Sequence, residues 1–266
     1  MRLVMNEIEV ITSAQNPKIK RLRLLQQKSS ERRKCGLFVV EGRRELTHCI
    51  DAGFEIDTIF YCEQIGGLHV EVPDNVDVYS ISPALYEKIA YRSGTEGIIA
   101  VVRSSETALS DLKLGKNPLV MVLESVEKPG NLGAVLRSAD AVGIDAVIVC
   151  DPLTDIYNPN LIRSSIGAVF TVPTVVCSSE ECIDWLRAHG MQILTAQLQD
   201  SQLYYDISMR KPTAIVMGTE STGLTDVWRK AADAHIRIPM LGKLDSLNVS
   251  VSAAILLYEA LRQRTA

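Results

Sequence analysis

Three segments in the second half of this 266-residue chain gather side chains able to hold a ligand with little help from charge. The first, residues 124–140, reads as a strand end, a Pro129-Gly130 turn and a helix with Asn131 at or near its cap and Arg137 almost two turns further on. The second, residues 216–224, is a strand running into a loop bounded by Gly218 and Gly223, with Glu220 at its centre. In the third, residues 238–254, Ser246 and Asn248 close a loop that leads into a long apolar run. Glycine lets backbone amides approach a ligand closely, and Asn, Ser and Thr offer donors and acceptors. The loops therefore suit a neutral, hydrogen-bonding ligand with an apolar body. Arg137 adds a cation beside them. Phosphate cradles are missing: no GxxxxGK[ST] occurs, and no GxGxxG opens a helix after a strand. Nucleoside triphosphates and ordinary dinucleotides are disfavoured.

The hydrophobic pattern supplies a scaffold for these loops. Strands over 119–123, 146–149, 172–176, 192–196 and 213–217 alternate with helices near 132–142, 161–165, 180–189, 226–232 and 249–264. Such alternation predicts a mainly parallel sheet between helices, which binds ligands at the carboxyl ends of its strands, where the three segments fall. The apolar run from Val249 is hydrophobic on more than one side, as for a core helix or a subunit-interface helix. The front of the chain reads differently. Asn16-Pro17 starts a helix, expected over 16–30, that places Ile19, Leu22 and Leu25 on one face and basic residues on the other. Strands at 37–40, 56–61, 76–81 and 97–102, with helices through Leu46 and Cys49 and around 84–90, complete a small α/β domain. Residues rich in Ser, Gly, Asn and Pro separate the two parts. The expected division is 1–107, a linker at 108–118, and 119–266.

Composition narrows the classes further. With 47% hydrophobic and 23% charged residues the chain has material for two cores and is not disordered. No apolar stretch approaches the roughly 20 residues of a membrane span, and no secretory signal opens the chain, so a cytoplasmic location is expected. Cys35, Cys49, Cys62, Cys150, Cys177 and Cys182 form no CxxC pair and read as core residues or inert thiols; with no metal-like His spacing either, no metal is expected. The net charge of −4 hides a basic run. Residues 16–44 hold ten Lys or Arg against two Glu. Lys18, Lys20, Arg21, Arg23, Arg32, Arg33 and Arg43 are the candidate nucleic-acid contacts, and their signature would be an affinity that falls steeply with salt.

The three segments, in this order, resemble the three motifs of the SpoU/TrmH family of SPOUT RNA methyltransferases. Asn131, Gly133 and Arg137 stand where the first motif has N-x-G-x-x-x-R, Gly218, Glu220 and Gly223 form the second, and Ile238-Pro239-Met240 through Ser246-Leu247-Asn248-Val249-Ser250 the third. Residues 163–170 are similar to the family between its first two motifs, and residues 36–42 with the basic run resemble a ribosomal-protein-like RNA-binding domain attached to many members. Ser221 departs from the glycine that often follows the motif-two glutamate, with an expected effect on loop flexibility rather than chemistry.

The resemblance implies a trefoil-knotted SPOUT sheet, S-adenosylmethionine bound bent within the knot, a homodimer, and transfer of the methyl group to a ribose 2′-hydroxyl of structured RNA. Ribosomal RNA is preferred over transfer RNA because the two-domain layout is similar to members that modify it. It further implies Arg137, Asn131, Glu220, Ser246 and Asn248 as the catalytic set, and cofactor contacts at Thr195, Gly218, Ile238, Met240, Leu247 and Asn248. A charged guanidinium has no acceptor and titrates above about 12, so Arg137 is read as an electrostatic clamp rather than a base. Two alternatives stay open: a catalytically silent RNA-binding protein on the same scaffold, and a SPOUT enzyme methylating a base. Neither the target RNA nor its nucleotide is legible.

Overall fold

The computed structural model describes residues 9–73, 75–91, 96–219, 222–243 and 246–265, which group into two units. One contains the described residues up to Ser105 together with Ile156–Gly167; the other contains Glu106–Asp155 and the described residues from Ala168 onward.

The first unit is a five-stranded sheet of β1 (Val10–Ile11), β2 (Leu37–Glu41), β3 (Ile56–Tyr61), β4 (Asp77–Ile81) and β5 (Ile98–Arg103), in the order β1-β4-β3-β5-β2. Strands β1, β4 and β3 run parallel, while β5 is antiparallel to both β3 and β2. Its helices are α1 (Pro17–Gln27), α2 (Ser29–Cys35), α3 (Arg43–Asp51), α4 (Pro83–Ile89) and, from the later segment, α6 (Pro159–Ser164). The Asn-Pro start holds: Asn16 Oδ1 accepts from the Lys18 amide at 2.9 Å, and Ile19, Leu22 and Leu25 are buried. The single helix expected over 16–30 is broken, because α1 ends at Gln27 and α2 begins at Ser29. Tyr157 stacks on Phe38 with ring centroids 4.3 Å apart, which helps seat Ile156–Gly167 on β2.

The second unit carries seven strands: β6 (Leu119–Glu124), β7 (Ala146–Cys150), β8 (Thr174–Cys177), β9 (Gln192–Ala196), β10 (Gln202–Leu203), β11 (Thr213–Met217) and β12 (Ala234–Arg237). Their order is β10-β12-β9-β11-β6-β7-β8, and every adjacent pair is parallel. The helices are α5 (Pro129–Val142), α7 (Ala168–Thr171), α8 (Ser179–Ala188), α9 (Asp226–Ala231) and α10 (Val249–Thr265). Buried central strands such as β6, β7 and β11 read as unbroken apolar runs because helices cover both faces. Leu109, Leu112 and Leu114 pack against this core, so the sheet's hydrophobic cluster reaches back before β6. Helix α10 packs on α5 and buries Val249, Ala253 and Leu256, while Val251 and Tyr258 stay exposed. No helix among the described residues is long and apolar enough to cross a membrane.

Candidate active site

The carboxyl ends of β6 and β11 and the segment before α10 converge. At β6 the chain leaves through Ser125, a non-glycine residue in the left-handed region (φ 53°), and enters α5 with Pro129 at its first position. The helix begins two residues earlier than the expected cap, so Asn131 is its third residue and Lys128 occupies the cap. This corrects the cap assigned to Asn131: proline fixes the backbone for a first turn, and the side chain of Asn131 is thereby released for another partner. That partner is Asn248, whose Nδ2 donates to Asn131 Oδ1 at 3.1 Å across 117 residues of sequence. Asn248 also accepts from the amide and hydroxyl of Ser250, at 3.0 and 2.6 Å, and so caps α10. One amide thus starts the last helix and ties it to the first motif.

The motif-two loop is folded on itself. Thr219 Oγ1 accepts from the Thr222 amide at 3.0 Å, and its carbonyl accepts from the Gly223 amide at 3.1 Å. A side chain at Gly218 would run into the backbone of Gly223 and Leu224, so the first glycine is required by this close return. Glu220, expected in the catalytic set, and Ser221 lie outside the described residues.

Two cavities meet at this loop. The larger, about 390 Å³, lies between residues 196–199, the loop from Met217 to Leu224, and the segment from Arg237 into α10. Of the expected cofactor contacts, Gly218, Ile238, Met240 and Leu247 line it, as does Ser246 from the catalytic set. Thr195 and Asn248 do not. Thr195 is fully buried with its hydroxyl 2.6 Å from His235 Nδ1, and the strand opens into the cavity one residue later, at Ala196. The smaller cavity, about 210 Å³, is lined by Lys128 and Asn131 and shares Gly218, Thr219 and Val249 with the larger.

Sequence reasoning missed the Ala196–Gln199 wall and two arginines, Arg229 and Arg237, which are the charged residues among those lining the larger cavity. Arg237 stands immediately before Ile238-Pro239-Met240, and that adjacency was an available signal.

Arg137 lines neither cavity. It is exposed on α5, about 9 Å along the helix from Asn131 and about a third of a turn off its face. In the first unit, Lys20, Arg21, Arg23 and Arg33 are exposed, and Lys18 is half-buried over the Tyr79 ring and paired with Glu9 at 2.9 Å. Arg32 is not a surface cation: it is 5% exposed and donates to the Leu25 carbonyl at 2.7 Å, closing the end of α1. A buried guanidinium needs acceptors, and the free carbonyls of a helix end supply them. Arg43 is half-buried and donates to the Gly66 carbonyl at 2.9 Å.

Comparison with known proteins agrees with this layout. Residues 118–258 match the SpoU rRNA Methylase family, and residues 16–100 match the MRM3-like substrate binding domain. The chain is 31% identical over 264 residues to a 23S rRNA (uridine(2479)-2′-O)-methyltransferase of Streptomyces viridochromogenes, covering 95% of this chain and 92% of that protein. A crystal structure of an RNA 2′-O ribose methyltransferase superposes with a TM-score of 0.83 at 40% identity, covering 97% of this chain and 100% of the other. The AdoMet-bound rRNA methyltransferase from Sinorhizobium meliloti superposes with a TM-score of 0.85 at 29% identity, covering 96% and 98%.

Proposed function

Since the chain belongs to the SpoU rRNA Methylase family, we propose that it moves the methyl group of S-adenosylmethionine to a ribose 2′-hydroxyl of ribosomal RNA. The observation that carries this reading is the meeting of two cavities at Gly218, Thr219 and Val249. A donor in one and an acceptor in the other can be brought to the short, in-line approach that methyl transfer needs.

The residues present fit the cofactor. A volume of about 390 Å³ is in the range of small-molecule sites, apolar side chains such as Leu224, Met240 and Leu247 suit an adenosine and its methylenes, and Arg229 and Arg237 suit a carboxylate. When bound, S-adenosylmethionine supplies an electrophilic methyl group. The chain's own residues supply position and charge. Gly218 brings backbone close to the donor, and the Asn131–Asn248 bond holds the wall common to both cavities. Lys128 and Asn131 face the acceptor side, where they orient the ribose. Arg137, outside both cavities, reaches the RNA phosphate next to the reacting sugar and stabilises oxyanion charge, as an electrostatic group rather than a base. Glu220, which lies outside the described residues, is assigned its place in the catalytic set by the family resemblance alone.

The finer parts of the reading follow from the family. The catalytic domain is knotted, with the segment from Arg237 to Val249 passing the motif-two loop; joint lining of one cavity by both supports this. The enzyme acts in the cytoplasm as a homodimer, and exposed Val251 and Tyr258 on α10 give it an apolar face to bury. RNA is gripped by the first domain, near 1–107, through Lys18, Lys20, Arg21, Arg23, Arg33 and Arg43, a role that the MRM3-like substrate binding match supports.

The test is incubation of the full chain with methyl-labelled S-adenosylmethionine and ribosomal RNA lacking its ribose methylations, followed by digestion to nucleosides. Label in a 2′-O-methylnucleoside is the expected result. Label in a base, or cofactor binding without transfer, defeats it.

A further inference from the structure

Cys150, Cys177 and Cys182 are scattered in sequence but converge in the fold. Cys150 ends β7, Cys177 ends β8 as its register partner, and Cys182 lies in the first turns of α8. Their three sulfurs lie within 4.8 Å of one another. Cys150 and Cys182 are fully buried in the apolar cluster beneath α8, while Cys177 keeps a partly open side.

We propose that these cysteines form a binding site for a thiophilic divalent ion, with zinc as its simplest occupant and a structural role at the β8 edge of the sheet. Geometry is the first support. Three atoms separated by at most 4.8 Å surround a point within about 2.8 Å of each, and zinc–thiolate bonds are about 2.3 Å, so closure asks each sulfur to move about 0.5 Å. A disulfide would join two of the sulfurs and leave the third without a role, whereas a metal uses all three. Ligand chemistry is the second support, since three soft thiolates select zinc and its neighbours over hard cations.

One oxygen of each nearby carboxylate is engaged. Asp151 accepts from the Ser179 hydroxyl at 2.6 Å, and Glu181 from the Ser178 amide at 2.9 Å. The fourth position is assigned to water, entering on the side that Cys177 exposes. Binding replaces the thiol protons that remain by the metal and releases them to solvent. Three thiolates and a dication leave one net negative charge, which the amino-terminal end of α8 favours.

The test uses the full chain, reduced and stripped by chelator, titrated with Zn²⁺ alone against a chromophoric competitor and, separately, with Co²⁺. One equivalent of Zn²⁺ per chain and a thiolate-to-cobalt charge-transfer band are expected. Cys177→Ala, at a half-exposed strand end, should weaken Zn²⁺ binding by at least about 100-fold without lowering the metal-free melting temperature, and exposed Cys35→Ala should leave binding unchanged. The Cys177→Ala comparison decides the matter even where Cys150→Ala or Cys182→Ala fails to fold. Absence of thiol-dependent binding in the wild-type chain, equal affinity in Cys177→Ala, or recovery of the trio as a disulfide that excludes metal would each overturn the site.

Discussion

The carboxyl ends of one parallel sheet are finished in two different ways. On the β6–β7–β8 side the residues at and just beyond the strand ends are held by side-chain hydrogen bonds, and only the loop beyond Glu124 goes on to line the smaller cavity. Glu124, 3% exposed, accepts from the Thr225 amide at 2.9 Å and its hydroxyl at 2.6 Å, and Ser179 bonds Asp151 while accepting from Trp228 Nε1 at 3.0 Å. Toward β9, β11 and β12 the strands run out into Ala196, Gly218 and Ile238 around a cavity of about 390 Å³. Both regions occupy the topological position where ligands of such sheets bind. A ligand can enter only where the protein has not already spent its own donors and acceptors, so the closed side carries stability and the open side carries chemistry.

The largest expected effect separates chemistry from both ends. Arg137→Ala should lower methyl transfer by about 1,000-fold, the scale of losing one preorganised charge-stabilising group, with S-adenosylmethionine affinity and melting temperature near wild type. Single-turnover kinetics beside calorimetric binding would show it, and near-normal turnover would remove Arg137 from the mechanism.

Next in size is Glu124→Ala, which removes the buried acceptor of the Thr225 amide and hydroxyl on the closed side and should cost about 2 kcal/mol of stability, read from denaturant unfolding. The folded fraction should still bind the cofactor. If affinity fell in step with stability, the division between the two sides would be wrong. On the open side the order reverses: Gly218→Ala puts a methyl group against the Gly223–Leu224 backbone and should weaken cofactor binding by about tenfold, with a smaller change in melting temperature.

These contrasts also explain what the sequence disclosed. The sheet and its loops were legible because their causes are local: apolar runs for strands covered on both faces, and glycine with small polar residues where a chain leaves a strand. The start of α5 was misread although its signal was present, since Pro129 marks a first helical position and moves Asn131 off the cap. Arg32 was misread for a physical reason. Cations belong in water by default, and nothing local announces that the carbonyl of Leu25 at the α1 end lacks a partner. Strand β12, Ala234–Arg237, was missed because four mixed residues carry no period, and it becomes a strand only by pairing with β9. The Ile156–Gly167 segment grouped with the first unit and the cysteine trio depend on which strands become neighbours, which spacing along the chain does not encode.

The smallest effect lies at the amino ends of the strands that open the cavity, where closure again uses a carboxylate. Asp233 Oδ2 accepts from the Ile193 amide at 2.7 Å, and Oδ1 pairs with Arg187 at 2.9 Å. Burial pushes its carboxyl up, but the Ile193 amide and the Arg187 guanidinium outweigh that and hold it below the usual aspartate range. A depressed folded-state value means the stabilisation is present above the ordinary aspartate pKa of about 3.9 and is lost as pH falls through the lower folded value. Asp233→Asn keeps an acceptor for Ile193 and discards the charge together with the acceptor that faces Arg187. The variant should melt slightly below wild type at neutral pH, and the gap should close on acidification below the aspartate range. The side chain is 40% exposed and screened by solvent, so the gap should be small and should shrink with added salt. A gap that persisted unchanged at low pH would mean that shape, and not charge, closes this end of the sheet.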